Sequence, residues 1–143
     1  MSDQKECLIY GVTPYQALTD CFGVEGARNY SIFIDDKCIA MCGTVPIEHD
    51  FGRVWFLGTI AINKNFRPFL RGCNKVIELL QGDYKQIENL CPVEHHDTVM
   101  WLSWCGFTFE DHPYDINDTI MVRFVRCANK KNNVIYLKRP VLQ

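Results

Sequence analysis

The chain has 143 residues, so we expect one domain, because a single hydrophobic core rarely divides below about 150 residues. Hydrophobic residues make up 48% and charged residues 22% of the chain, which excludes a disordered protein, and the net charge is −2. No apolar run approaches the roughly 18 residues of a membrane span, and the first six residues are too polar for a secretory signal. We therefore expect a cytoplasmic protein without membrane contact.

The predicted elements of the first part of the chain are one helix and three strands. The helix begins at Pro14 and has Thr13 as its capping residue. The strands cover residues 30–34, 38–44 and 53–62. The first two form a hairpin, and the third is apolar on both sides, so we expect it in the middle of a sheet.

A strongly periodic segment follows, in which apolar residues recur at helical spacing from Phe66 to Leu80. Asn65 is predicted to cap this helix and Gly82 to end it. The remaining elements are a strand over 87–93, a helix from 97 to 105, and strands over 107–110, 120–127 and 134–138. Strand–helix–strand crossovers require parallel pairing and hairpins require antiparallel pairing, so the order predicts an α/β fold with one mixed sheet and helices on both faces.

The positions of the cysteines and of the basic residues near the C-terminus bear on metal binding and on nucleic-acid binding. The eight cysteines lie mostly in apolar runs, so we expect small buried hydrophobic residues, with no disulfide framework and no metal site. Residues 119–143 carry six Lys or Arg and no acid. Aromatic residues do not alternate with these charges, so we expect no nucleic-acid binding.

The start of the periodic helix concentrates positive charge. Lys64, Arg67 and Arg71 lie within about two turns, and no carboxylate follows before Glu78. The pattern fits either a solvated basic face or an anion site. The pattern favours the anion site, because a helix N-terminus attracts negative charge. If the charged residues served only to stabilise the helix, they would be acidic at this end, whereas they are basic.

Two segments resemble the GNAT acyltransferases. One is the run Ile60-Ala61-Ile62-Asn63-Lys64-Asn65-Phe66-Arg67-Pro68-Phe69-Leu70-Arg71-Gly72, which resembles the strand–loop–helix that cradles the coenzyme A pyrophosphate. The other is Thr98-Val99-Met100-Trp101-Leu102-Ser103-Trp104-Cys105-Gly106-Phe107, which looks like the last helix of that family. The similarity is nearest to the small GNAT-like proteins of tailed bacteriophages, of the podovirus internal virion protein A type.

The resemblance implies a three-layer GNAT-like fold over residues 1–127 in which the usual first strand has no counterpart. Residues 128–143 are then a basic extension, and the strand at 134–138 would fill the empty sheet edge, either within its own chain or in the neighbour of a homodimer. The resemblance also implies acetyl-CoA, or another acyl-CoA, as cofactor. Its expected contacts are Thr59, Ile60, Ala61, Ile62, Asn65, Arg67, Leu70, Arg71 and Gly72.

Acyl transfer by direct attack on an amine needs a base and an oxyanion donor. Glu94 and His95 are the candidate bases, although His95 equally fits a helix cap, and backbone N–H groups around residues 59–61 are the candidate oxyanion donors. The acceptor amine belongs to a small molecule or a protein.

Several residues depart from the family pattern. Leu70 occupies the place of the first glycine, Pro68 removes one N–H, and Leu102 stands where the family often has a tyrosine acid. They favour a second function, a catalytically degenerate phage virion or host-interaction protein.

Overall fold

The computed structural model describes Cys7 and residues 10–128. Within residues 10–128 the α-helices are α1 (Pro14–Phe22), α2 (Ala61–Lys64), α3 (Phe66–Gln81) and α4 (His96–Trp104). Its seven strands are β1 (Arg28–Ile34), β2 (Lys37–Pro46), β3 (Phe51–Gly58), β4 (Gln86–Pro92), β5 (Thr108–Phe109), β6 (Tyr114–Ile116) and β7 (Thr119–Cys127). Among the described residues no helix is long and apolar enough to cross a membrane.

The strands form one mixed sheet in the order β1-β2-β3-β4-β7-β5, and β6 pairs with β7. β3 and β4 are parallel, and the other pairs are antiparallel. The mixed α/β sheet predicted from the order of elements is therefore confirmed. The strand predicted at 134–138, and all of the predicted extension 128–143 except Ala128, lie outside the described residues.

Helices cover both faces of the sheet. On one face, the ring centroid of Phe56 of β3 lies 5.7 Å from that of Phe69 of α3 and 5.1 Å from that of Trp101 of α4. On the other face, Phe22 at the end of α1 meets Trp55, with ring centroids 6.3 Å apart. Adjacent residues of β3 point to opposite faces, so this strand is the middle of three layers.

Local signals in the sequence placed most elements correctly. The Thr13 hydroxyl accepts a hydrogen bond from Gln16 N at 3.1 Å and caps α1 as predicted. The hairpin of β1 and β2 and the end of α3 at Gly82 are also where the sequence predicted them. The strand β6 was not predicted; it is joined to β7 by Asn117 and Asp118, both with left-handed backbone as tight hairpin turns require.

The predicted strand over 53–62 is too long, because β3 ends at Gly58. The Thr59 hydroxyl donates to Ile39 O at 3.0 Å and accepts from Ala61 N at 3.2 Å, which turns the chain into α2. Asn65 does precede α3, but the predicted side-chain cap is wrong. Its amide donates to Ala61 O at 2.9 Å and so belongs to the turn before the helix.

None of the eight cysteines is in a disulfide. Five of them are buried, namely Cys7, Cys42, Cys73, Cys91 and Cys105. Burial raises the pKa of Cys42 to about 12, and a hydrogen bond to Cys73 together with burial raises the pKa of Cys105. These five thiols are packed as the small hydrophobic residues that the sequence predicted.

Candidate functional site

The two parallel strands at the centre of the sheet separate after three residue pairs. β3 and β4 pair from Phe51↔Gln86 to Arg53↔Glu88. Beyond that point β3 stays paired with β2 as far as Gly58, and β4 stays paired with β7 as far as Pro92. The gap between residues 54–58 and 89–92, which we call the wedge, opens at the carboxyl ends of both strands. Open α/β sheets bind ligands at such ends.

The wedge begins at the side chain of Asn89. Its amide nitrogen donates to Val54 O at 2.6 Å, and its amide oxygen accepts from Leu90 N at 2.7 Å. Because N–H and C=O groups alternate in direction along a strand, Phe56 points its backbone polar groups to the same side as Val54. The N–H and C=O of Phe56 therefore face the wedge.

Aromatic side chains form the floor of the wedge on the side of α3 and α4. They are Phe56, Phe69 and Trp101, each within 6 Å of the other two. Cys73 of α3 and Cys105, which follows α4, are both buried in the core together with Phe69.

The first turn of α3 offers few backbone donors. Pro68 has no N–H, and Phe69 N donates to Asn65 O at 3.0 Å. At most the N–H groups of Phe66 and Arg67 are left for an anion. Leu70 is half-buried in the next turn. An anion at this helix must therefore depend on side-chain charge more than on backbone amides.

That charge is available on the exposed side of α3. Lys64, Arg67, Arg71 and Lys75, which we call the basic face, are exposed and make no ion pair with any described residue. Arg28, Arg123 and Arg126 are each paired with a carboxylate. Next to the basic face, a Cβ added to Gly72 would meet no atom within 4 Å. The face is open for an anionic ligand.

Of the N–H groups at 59–61 that were expected as oxyanion donors, those of Thr59 and Ala61 are already hydrogen-bonded. Thr59 N donates to Ile39 O at 2.9 Å, and Ala61 N donates to the Thr59 hydroxyl at 3.2 Å. Ile62 N donates to Thr59 O at 3.1 Å, while the Ile60 side chain is 89% exposed. Because these N–H groups are engaged within the turn, Phe56 is a better backbone donor.

Glu94 and His95 follow β4 at the same sheet edge as the start of α3. With His96, Asp97 and Thr98 they line a cavity of about 300 Å³. His95 is half-buried at the position preceding α4, but its side chain makes no capping hydrogen bond. His95 is thus the N-cap residue of α4 by position, and its carbonyl accepts from Val99 N at 3.0 Å, but its side chain does not cap the helix.

A second cavity of about 470 Å³ lies at the opposite ends of β3 and β4. It is lined by Ile47, Glu48, His49, Phe51, Arg53 and Glu88. Neither cavity is lined by residues 59–72, which form the expected cofactor loop. No group of three or more His, Cys, Asp or Glu residues in the described part of the chain is placed to hold a metal ion.

Sequence reasoning missed Asn89, Val54 and Phe56, which define the wedge. A signal for Asn89 was present, since it is a carboxamide inside the apolar strand 87–93. Nothing in the sequence pointed to Val54 and Phe56, because their role depends on where the parallel pairing stops.

No protein-family model and no curated protein sequence matches this chain. Solved structures do match it. One is the F149A variant of spermidine N-acetyltransferase SpeG from Vibrio cholerae, 16% identical, with a TM-score of 0.61 over 78% of this chain and 72% of that one. Another is a Bacillus subtilis acetyltransferase in complex with CoA, 14% identical, with a TM-score of 0.62 over 81% and 86% of the two chains.

A third similar structure is a GNAT-family acetyltransferase from Streptococcus pneumoniae, 11% identical, with a TM-score of 0.60 over 80% of this chain and 74% of that one. At these identities the matches establish the fold. The chain has the fold of the GNAT acetyltransferases, as the two sequence segments had indicated.

Proposed function

We propose that this chain is an N-acyltransferase of the GNAT superfamily that moves an acetyl group from acetyl-CoA to an amine on a small molecule or a protein. Another acyl-CoA is an equivalent donor for the same site. The observation that carries the proposal is the wedge between β3 and β4 in a sheet of this fold. In the solved Bacillus subtilis structure, a protein of the same fold is in complex with CoA.

The wedge suits the arm of coenzyme A. That arm is an extended chain interrupted by amide groups, which can pair with a strand edge as a peptide does. The carbonyl of Phe56 offers a backbone acceptor to an amide of the arm, which leaves the N–H of Phe56 for the oxyanion, and the aromatic floor offers apolar contact. When bound, the thioester at the end of the arm supplies the activated acyl group.

The basic face is proposed to hold the phosphates of the cofactor. Arg67 and Arg71 are one helical turn apart and have no carboxylate partner among the described residues, so both guanidinium groups are available for bidentate contacts. Gly72 leaves the space beside them open. The other expected cofactor contacts are proposed to shape the entrance of the wedge rather than to donate hydrogen bonds to the cofactor. They are Thr59, Ile60, Ala61, Ile62, Asn65 and Leu70.

Proton removal from the amine is proposed for Glu94 or His95. Both lie just after β4 and line the cavity at the start of α4. The N–H of Phe56 is proposed to stabilise the oxyanion, since it faces the wedge. Replacing His95 by Ala or Glu94 by Gln should then slow turnover and leave acetyl-CoA affinity largely intact.

Isothermal titration with acetyl-CoA tests the proposal. We expect micromolar binding that weakens about tenfold or more in the Arg67→Glu, Arg71→Glu double variant, because two phosphate contacts are lost. Lys37→Glu is the matched control, since Lys37 is exposed at the start of β2 and forms no ion pair with a described residue. The double variant binding as tightly as Lys37→Glu would contradict the assignment of the basic face.

A second candidate is a GNAT-fold protein without acyl transfer, such as a phage virion component or a host-interaction factor. The scarcity of backbone donors in the first turn of α3 favours it. Leu102, in the place of the tyrosine acid, is 6% exposed and packs in the core. No binding at millimolar acetyl-CoA would favour this candidate over the enzyme.

A further inference from the structure

The hydrogen bonds of Asn89 follow a specific pattern. In a regular parallel ladder, consider a residue whose backbone polar groups point to the neighbouring strand. Its C=O accepts a hydrogen bond from the N–H of the residue that follows its pairing partner on that strand. Continued from Arg53↔Glu88, the β3–β4 ladder would next place Leu90 N–H on Val54 O. In this protein Leu90 N donates to the Asn89 side-chain oxygen at 2.7 Å, and the Asn89 side-chain nitrogen donates to Val54 O at 2.6 Å.

We propose that Asn89 is the positioning residue of the wedge. Its carboxamide is inserted into the ladder like an extra peptide group, between the N–H of Leu90 and the C=O of Val54. Both backbone groups stay satisfied while the strands are held apart by the width of one amide. A buried ladder that ended without such a group would leave a donor and an acceptor unpaired, which costs about 1–3 kcal/mol for each.

The insertion explains why the wedge starts where it does. Without the carboxamide, Leu90 N–H and Val54 O would meet directly and the strands would stay together for another rung. Pro92 has no N–H, so the ladder is interrupted again two residues later. Asn89 thus decides whether the backbone groups of Phe56 are open to an extended ligand; this last step rests on the proposed function.

Nuclear magnetic resonance couplings across hydrogen bonds test the insertion directly. In the wild type, we expect a coupling between the Asn89 side-chain nitrogen and the Val54 carbonyl carbon. In Asn89→Val, a strand-forming side chain with no polar group, we expect the coupling to run from Leu90 N to that carbonyl. Absence of the first coupling, or of the second in a folded Asn89→Val variant, would overturn the proposal.

If Asn89→Val does not fold, Asn89→Asp is the variant that tests the insertion. It keeps an oxygen that can accept from Leu90 N and removes the donor to Val54 O. We expect a coupling from Leu90 N to the side-chain carboxamide carbon in the wild type and to the carboxylate carbon in Asn89→Asp. Absence of this coupling in the wild type or in a folded Asn89→Asp variant would overturn the proposal.

Ligand binding separates this proposal from the proposed function. We expect acetyl-CoA to bind about tenfold more weakly to Asn89→Val than to Asn74→Val, a matched change on the exposed side of α3. Equal affinity in both variants would overturn the link between Asn89 and ligand entry. If the wild type binds no acetyl-CoA, the proposed function fails, whereas the couplings still decide whether Asn89 holds the strands apart.

Discussion

Two glycines show how differently the same residue is constrained in this protein. A Cβ added to Gly43 on β2 would lie 2.5 Å from Arg28 O and 2.7 Å from the indole nitrogen of Trp55. Gly43 is therefore required for the close approach of β1 and for the placement of the Trp55 ring. Gly72 lies inside α3, where a Cβ would touch nothing within 4 Å.

Replacing each glycine by alanine should change stability in opposite directions. We expect Gly43→Ala to lower the free energy of unfolding by about 1–3 kcal/mol, because the backbone of Arg28 and the Trp55 ring must move. Gly72→Ala should raise it by about 0.5–1 kcal/mol, since alanine restricts the unfolded chain and favours the helix. Urea unfolding of both variants measures these changes. If Gly72→Ala lowered the free energy of unfolding, the expectation that position 72 has room for a side chain would be wrong.

The helix α3 combines a well-packed face with an electrostatically unfavourable one. Its inner face buries Phe69, Cys73, Ile77 and Leu80 against the sheet. Its outer face repeats positive charge at every fourth residue from Arg67 through Arg71 to Lys75, and neighbouring like charges destabilise a helix. The first turn contains no acid to balance the helix dipole. The packed face therefore provides the stability that offsets the charge repulsion on the basic face.

A single charge reversal in α3 should therefore increase stability and weaken binding. In Arg67→Glu, the new carboxylate lies in the first turn and one turn before Arg71, so we expect the free energy of unfolding to rise by about 0.5 kcal/mol. Acetyl-CoA affinity should fall in the same variant. Urea unfolding and titration calorimetry measure the two effects, and a loss of stability would mean that Arg67 has a structural role.

An ion cluster joins β4 and β7 and includes a carboxylate that follows β5. The Arg123 guanidinium of β7 donates to Glu88 of β4 at 2.7 Å and also to Glu110, which follows β5. The Glu88 side chain is only 16% exposed. The hydrogen bond from Arg123 holds the pKa of Glu88 below its usual value, so the folded protein favours the ionised carboxylate.

The stability of the whole molecule should depend on this carboxylate in acid. The pKa of Glu88 is lower in the folded protein than in the unfolded chain. The contribution of its ionised carboxylate to the free energy of unfolding is therefore complete above the usual pKa of glutamate, and it is lost as the pH falls through the pKa of the folded protein. We expect Glu88→Gln to be less stable than the wild type by about 1–2 kcal/mol at about pH 7, and the difference to shrink towards about pH 3.

Urea unfolding across that pH range measures the difference, with Glu25→Gln as the control because Glu25 is exposed and makes no ion pair with a described residue. A difference between wild type and Glu88→Gln that does not vary with pH would show that Arg123 does not perturb Glu88.

Much of the fold was predictable because it depends on neighbouring residues in the chain. The Thr13-Pro14 cap, the hairpin of β1 and β2, and the apolar spacing of α3 are local patterns. The extent of β3 was not predictable, because the run Ile60-Ala61-Ile62 is as apolar as a strand. It is the contact of Thr59 with Ile39, twenty residues earlier, that turns this run away from the sheet.

For the candidate site, the residues of the chain alone indicated the anion-binding charge of α3 and the position of Glu94 and His95 after a strand. Only the folded chain decided which backbone amides are already used and where the two central strands part. The reason is physical: a hydrogen bond such as that between Asn89 and Val54 joins positions 35 residues apart, and whether it forms depends on distances that the assembled sheet sets.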